Sequence, residues 1–385
     1  MSRCASGLYG PLRALEGALI QQLVQEMPPN THPFVGTPLI LDRWLLGSAL
    51  QKCIRRGLNV DATDVAIVLH GLDSEVAWRR LRIIAIEDVG LGNIETVATI
   101  MALAGKRKVR QLLGDQRLYV SLVQALCVAP KDRTACDLLC WIEMSPSVAA
   151  VRADMLDFPA HWESMALNEG LPIWQRVVAV QLIAGLTFRT RSGYRTVTRA
   201  DTPGLWRVVE ALDLQPMVAF ASLKGTATES LNVALPFAQI LHRQASIRPL
   251  RMCSPEAQVP SRIGGLIAPA FCMHTRVGLR ALRLFLSQKA DLRKQLLRAG
   301  ATNLVRALGF LVFQIESGLL DRFEDYAPHV RVEAERAELA HYGITDDTDA
   351  ATLRMELLRQ FSAIDEAREM AWTEYQLEAP SSEAP

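Results

Sequence analysis

The stretch WRRLRIIAIEDVGLGN, residues 78–93, carries the pattern that decides the fold class. Its apolar residues recur at helical spacing between arginines at the start and two carboxylates, Glu87 and Asp88, near the end. The earlier stretch SALQKCIRRG, residues 48–57, also sets basic residues along an apolar helical face. Such spacing is typical of amphipathic helices. We therefore predict two helices that dock onto their neighbours through their apolar faces.

The charges on these two helices need partners, because an unpaired charge is strongly unfavourable when buried. The simplest account pairs Glu87 and Asp88 with Lys52, Arg55 or Arg56 of the other helix. An acid/base pair made of the two carboxylates is the alternative. Adjacent residues on a helix point about 100° apart, and no His, Ser or Cys partner has supporting spacing. We therefore predict structural ion pairs here and no catalytic residue.

Similar periodicity predicts helices through most of the chain. The predicted segments are roughly 10–26, 40–56, 61–71, 74–88, 93–104, 116–128, 132–143, 173–186, 203–212, 228–244, 275–299, 301–319 and 349–374. The abundance of Leu, Ala, Arg and Glu and the 6% aromatic content agree with this assignment. We therefore predict an all-α protein, built as a multi-helix bundle or array.

One segment departs from helical spacing. The stretch TFRTRSGYRTVTRA, residues 187–200, alternates threonine or apolar residues with arginine around a central Ser-Gly, which predicts a basic β-hairpin. Arg189 and Arg191 would share a face of the first strand, and Arg195 and Arg199 a face of the second. Such a ribbon suits a nucleic-acid groove, whereas the alternative is a solvated hairpin.

The densest basic cluster lies in GKRKVRQLLGDQR, residues 105–117. It places Lys106, Arg107, Lys108 and Arg110 within five positions. Adjacent like charges gain from contact with a polyanion, since its condensed counterions are released on binding. We predict that this cluster contacts nucleic-acid phosphates. A solvated charge run is the alternative.

The length of 385 residues and the 50% hydrophobic content predict two or three folded domains. Prolines and short amphipathic pieces at 144–172 predict a division between a helical domain at 1–145 and a second one at 146–320, which holds the basic hairpin and a basic helix. The change of charge at Asp321 begins an acidic helical tail at 321–385, whose end is predicted to be disordered. The tail carries sixteen acidic and six basic residues, so the body carries +11 although the net charge is +1. A basic body favours polyanion binding, and an uneven surface charge is the alternative.

Seven cysteines form no CxxC pair and mostly lie among apolar residues, as in a reducing cytosol. Cys136 and Cys140 are one helical turn apart, but no second ligand pair has zinc spacing. The first residues hold no apolar run long enough for a signal peptide or a membrane span. These features predict a cytoplasmic protein without metal, cofactor or membrane contact.

The two opening stretches and LYVSLVQALCVAPKDRTACDLLCWI, residues 118–142, follow an order and spacing that resemble the replication-associated recombination protein A family of clamp-loader-like AAA+ ATPases. The resemblance covers about residues 46–145. It implies an all-helical, collar-like oligomerisation domain, hence a homo-oligomer. The family's ATPase motif is missing: the one Gly-Lys step, at 105–106, lacks the upstream glycine and the Ser/Thr of a phosphate-binding loop.

The resemblance therefore implies a collar-like module without the family's ATPase domain. No catalytic residue of the family can be assigned to this chain. We expect a non-enzymatic DNA-associated accessory protein of replication or recombination that binds DNA phosphates, a clamp-loader-type partner, or both. The alternative is an interaction scaffold of mobile-element or phage origin that engages host replication ATPases without contacting DNA. A second stretch, CMHTRVGLRALRLFL (272–286), looks like a motif but is assigned no role.

Overall fold

The computed structural model describes residues 8–26, 42–190, 193–196, 200–225, 230–245, 250–252, 260–317, 322–324 and 327–378. Helices dominate these ranges, and the predicted all-α multi-helix fold is confirmed. The first ten helices are α1 (Tyr9–Glu26), α2 (Arg43–Arg55), α3 (Asn59–Leu72), α4 (Ser74–Ile84), α5 (Ile94–Ala104), α6 (Arg107–Leu113), α7 (Asp115–Val128), α8 (Thr134–Met144), α9 (Pro146–Met155) and α10 (Trp162–Leu167). The others are α11 (Ile173–Ile183), α12 (Thr202–Ala211), α13 (Pro216–Gly225), α14 (Leu235–Gln244), α15 (Arg276–Gln288), α16 (Ala290–Arg298), α17 (Leu304–Ser317), α18 (Pro328–His341), α19 (Asp347–Arg359) and α20 (Phe361–Glu378).

Short antiparallel strand pairs complete the described fold. They are β1 (Thr187–Thr190) with β2 (Gly193–Thr196), β3 (Leu250–Met252) with β6 (Arg322–Glu324), and β4 (Arg262–Ile263) with β5 (Leu266–Ile267). The first pair is the hairpin that the sequence predicts near 187–200. The second pair joins the region after α14 to the segment before α18.

Two clusters of buried apolar side chains form the core of the described residues. The larger runs from Leu12 of α1 to Ala281 of α15 and takes in Trp372 of α20. The smaller joins α15, α16, α17, α18, α19 and the start of α20, from Met273 to Ala367. The larger cluster thus runs across residue 145, and both clusters run across residue 320, where the sequence suggested divisions.

Several helix boundaries differ from the sequence prediction. The irregular stretch after residue 144 contains α9, which begins where the Ser145 hydroxyl accepts a hydrogen bond from the Val148 amide and Pro146 takes the first turn. The predicted helix at 275–299 is two helices, because the backbone of Lys289 leaves the helical region. Neither glycine nor proline marks that break, so apolar periodicity continues through it.

The acidic C-terminal helices pack onto the body. Helix α18 lies along α8, and α20 lies along α15. Arg280 of the basic helix α15 forms ion pairs with Glu374 and Glu378 of α20, each at 2.7 Å. The acidic segment therefore neutralises part of a basic helix. No helix in the described part of the chain is long and apolar enough to cross a membrane.

The contact between α8 and α18 includes the carboxyl group of Glu338, whose pKa is raised well above its ordinary value. Burial, followed by the nearby carboxylates of Asp137 and Glu335, raises the pKa of Glu338 to about 8, although Arg133 opposes this. The folded state therefore keeps a proton that the unfolded chain releases above its ordinary pKa of 4.5. Stability from this group is present at low pH and is lost as the pH rises through 8.

We expect Glu338→Gln to raise the free energy of unfolding by about 2 kcal/mol at pH 9 and to leave it nearly unchanged at pH 5. The amide needs no proton to remain neutral in this partly buried site. Urea unfolding at both pH values measures the difference. Glu369→Gln, on an exposed position of α20, is the matched control. Equal effects at pH 5 and pH 9 would contradict this prediction.

Candidate anion-binding cleft

Helices α2 and α4 border a cleft of about 470 Å³ that also receives residues from the start of α15 and from α17. Both opening stretches of the sequence reach it, together with the unassigned stretch at 272–286. Among the residues that the structure describes, five cationic side chains and one carboxylate line the cleft. The cations are Arg43, Lys52, Arg55, Arg79 and Arg80, and the carboxylate is Glu87.

The turn after α4 sets the positions of the acidic residues. Residues Ala85–Val89 form a π-helical turn and Gly90–Asn93 a 3-10 turn. Gly90 has a φ of +50°, and a Cβ at Gly92 would overlap the carbonyl oxygen of Pro130. Glycine is required at both positions, because other residues rarely adopt the first conformation and no side chain fits at the second. The GLG of the opening stretch thus brings this turn against the loop before α8.

Asp88 is fully buried beneath the cleft. Its carboxylate accepts hydrogen bonds from Arg55 Nε at 2.6 Å and from Gln51 Nε2 at 2.9 Å, and Arg133 lies 3.8 Å away. Burial alone would raise the pKa of Asp88, but the attraction of Arg55 and Arg133 lowers it below its ordinary value. Arg55 also contacts Glu87 at 3.3 Å. Two carboxylates therefore neutralise Arg55.

Lys52 lies at the inner end of the cleft and is only 6% exposed. Its Nζ donates a hydrogen bond to the Cys272 sulfur at 3.5 Å. Burial would raise the pKa of the Cys272 thiol, but Lys52 and the Ser48 hydroxyl lower it below the ordinary value. The predicted ion pair of Lys52 with Glu87 or Asp88 is not formed; a thiol takes that place. Arg56 likewise turns away, donating to the carbonyl oxygen of Glu316 at 3.4 Å.

Two arginines of α4 form the outer wall. Arg79 is exposed, whereas Arg80 is partly buried and donates a hydrogen bond to the Gln51 side-chain oxygen. The Arg80 Nε is buried and has no hydrogen-bond partner in the described structure. At the mouth, the Trp44 indole is 71% exposed, with the Arg43 guanidinium 5.8 Å from its ring centre. Arg43 also lies 3.9 Å from Asp73.

His274 and Phe313 close the other side of the cleft. Their rings meet edge to face, with centres 6.1 Å apart. Although His274 keeps an exposed edge, desolvation, followed by repulsion from Lys52, Arg80 and other arginines, lowers its pKa to about 4. The imidazole is therefore neutral at pH 7. Phe313 also faces Lys52 and Arg55, whose charged groups lie 5.7 and 5.2 Å from its ring centre.

Charge pairing leaves the cleft positive. Carboxylates lie beside Arg55 and Arg43, but within the described ranges no carboxylate lies within ion-pair distance of Lys52, Arg79 or Arg80. Three cations around one concave site attract anions, and the low dielectric of a partly buried site strengthens that attraction. The arrangement can bind a multivalent anion.

The basic cluster of residues 106–110 divides between surface and interior. Arg107 and Lys108 are exposed, and Lys106 pairs with Glu16 at 3.1 Å. Arg110 is fully buried, pairs with Glu75 and Asp115 at 2.7 and 3.0 Å, and lies 4.7 Å from the centre of the Trp78 ring. Arg110 is therefore inaccessible to a phosphate, because its guanidinium is buried and links α4 to α7 through these two ion pairs.

The predicted hairpin arginines are described only in part. Strand register pairs Arg189 with Tyr194 and Arg195 with Phe188. Arg191 and Arg199 lie outside the described residues.

Sequence reasoning missed His274, Phe313 and Arg43 as parts of the site. Lys52 and its partner Cys272 are 220 positions apart in the chain. From the sequence, the stretch at 272–286 looked like a motif, but no role could be assigned to it. Family models, curated proteins and solved structures yielded no match to this chain.

Proposed function

We propose that this chain is a non-enzymatic, DNA-associated accessory protein of replication or recombination, and that the cleft between α2 and α4 holds DNA phosphate. The observation that carries the proposal is the group of three cations, Lys52, Arg79 and Arg80, that meet at one concave site without carboxylate partners in the described structure. Phosphate contacts of this kind supply affinity without reading base sequence.

The exposed cations of α6 extend this basic surface along α4. Arg107 lies 3.9 Å from Glu75, which precedes Arg79 by one helical turn. Glu75 offsets part of the charge of Arg107, so a strand that enters the cleft beside Arg79 can continue toward the exposed Lys108. The resemblance over residues 46–145 supports the setting: a collar-like module that self-associates, meets a clamp-loader-type partner and works in the cytoplasm.

The test is DNA binding measured by fluorescence anisotropy over a range of salt concentrations. For the unmodified chain the logarithm of the association constant should fall linearly with the logarithm of salt concentration. We expect Arg79→Ala with Arg80→Ala to weaken binding roughly tenfold or more and to reduce the salt slope by about one for each lost phosphate contact.

The matched control is Arg293→Ala with Arg298→Ala, which removes the same charge from exposed positions of α16. This control should leave the affinity within about twofold, because general charge attraction falls off over about one Debye length. If both double variants weaken binding equally, only net charge matters and the cleft proposal fails. If no DNA binds at any salt concentration, the chain acts as the interaction scaffold instead.

A further inference from the structure

The three cations without carboxylate partners lie at different depths of the cleft. Arg79 is exposed at the rim, Arg80 is partly buried with an unpartnered Nε, and Lys52 is 94% buried at the inner end. We propose that the cleft binds a terminal phosphate monoester, the phosphorylated end of a single strand or a free mononucleotide, with its base stacked on Trp44. This inference rests on the proposed function and narrows its ligand.

The number of cations favours a monoester over a diester. A phosphate monoester carries close to two negative charges at neutral pH and offers three terminal acceptor oxygens, whereas a backbone diester carries one charge. Lys52, Arg79 and Arg80 provide three cationic donor groups without competing carboxylates in the described structure. An arginine fork matches two phosphate oxygens, and an ammonium group serves as a point charge for the third.

The depth of Lys52 favours an end over an internal phosphate. An internal phosphate can reach a buried cation only if the chain on both sides of it enters the cleft, whereas a terminal phosphate enters with one strand behind it. The volume of about 470 Å³ falls within the range of small-molecule sites, about 300–1,000 Å³. A duplex is too wide to enter the cleft, so its phosphates would contact only the cations at the rim.

The mouth supplies a surface for the attached base. The Trp44 side chain is 71% exposed, whereas Phe313 on the other side of the cleft is partly buried. Stacking of a base on an aromatic side chain is worth about 1–3 kcal/mol and tolerates any base. The phosphate would contact the cations at the inner end of the cleft, and the base would stack on Trp44 at its mouth.

The test compares single-stranded oligonucleotides that differ only at one end. The full chain is titrated into oligonucleotides with a 3′ fluorophore and either a 5′-phosphate or a 5′-hydroxyl. A second set carries the fluorophore at the 5′ end and either a 3′-phosphate or a 3′-hydroxyl. We expect one phosphorylated end to bind about tenfold more tightly than its hydroxyl counterpart. A nucleoside monophosphate should compete with it, and the nucleoside should not.

Lys52→Met should abolish the preference for the phosphorylated end, and Lys294→Met, at an exposed position, should preserve it. A second variant, Gly47→Leu, fills the cleft without removing a charge: a Cβ there lies 3.8–3.9 Å from the Arg80 side chain, so larger groups extend into the site. It too should abolish the preference while leaving weak, salt-dependent strand binding at the rim.

The outcomes separate this inference from the proposed function. If phosphorylated and hydroxyl ends bind equally but Arg79→Ala weakens both, the terminal-phosphate inference is overturned and the proposed function stands. If the mononucleotide binds in a Lys52-dependent manner and no oligonucleotide binds, the phosphomonoester inference stands and the DNA proposal fails. If a Lys52→Met chain with an unchanged circular dichroism spectrum keeps the preference, the cleft is not the site.

Discussion

Replacing Arg55 with alanine is expected to lower the free energy of unfolding by about 3–5 kcal/mol, because the change leaves the carboxylate of Asp88 buried without its main partner. Asp88 is fully buried, and Arg55 is its closest contact at 2.6 Å. Arg133 lies farther away at 3.8 Å and cannot restore the hydrogen bond. Urea unfolding followed by circular dichroism at pH 7 measures the loss.

The same ion pair predicts an acid dependence. Because the folded state holds the pKa of Asp88 below its ordinary value, the stability from this group is present above pH 4 and is lost as the pH falls through the lowered pKa. Asp88→Asn should therefore remove part of the acid sensitivity of the fold. The control for Arg55→Ala is Arg79→Ala, which changes an exposed residue and should alter the free energy of unfolding by no more than about 0.5 kcal/mol. A loss below about 1 kcal/mol for Arg55→Ala would contradict the structural role of the pair.

Replacing Arg110 with alanine is expected to destabilise the fold by a similar amount, about 3–5 kcal/mol. The guanidinium joins Glu75 of α4 to Asp115 of α7, donates to the carbonyl oxygen of Leu103 at 3.3 Å, and stacks on Trp78. Arg110→Lys should recover only part of the loss, because an ammonium group cannot reproduce the planar fork. Thermal unfolding and urea titration measure both variants.

The neighbouring Lys108 provides the comparison that separates structure from ligand binding. Lys108 is exposed, so Lys108→Ala should leave stability unchanged within about 0.5 kcal/mol. Its effect should appear instead as a weaker dependence of DNA binding on salt. The opposite pattern, with Arg110→Ala stable but poor in DNA binding, would restore Arg110 to the phosphate-binding set that the sequence suggests.

The fold class and many helix positions could be read from the sequence because apolar periodicity reports a local property. Helices predicted at 40–56 and 93–104 are α2 and α5 to within a few residues. Helix α18 was missed because charged residues interrupt its apolar pattern, although Pro328 stands at its first turn. The break at Lys289 was missed because no glycine or proline marks it.

The candidate site was predictable only in part. The need of buried charges for partners indicated that Asp88 would pair with a cation of the preceding basic helix, and Arg55 fills that role. Which of Lys52, Arg55 and Arg56 pairs with it depends on the direction in which α2 faces its neighbours. Helical spacing places the three within about one turn and cannot distinguish them.

The sequence by itself determined an all-helical chain, two amphipathic helices with opposed charges, and a surplus of basic residues before residue 321. Only the tertiary structure decided which cations are available to a ligand. It buries Arg110 as a joint between helices and gathers Lys52, Arg79 and Arg80 around one cleft beside His274. The physical reason is that a carboxylate within about 4 Å neutralises a cation, whereas a cation without such a neighbour can bind an anionic ligand. These neighbours come from distant parts of the chain, so no local sequence pattern predicts them.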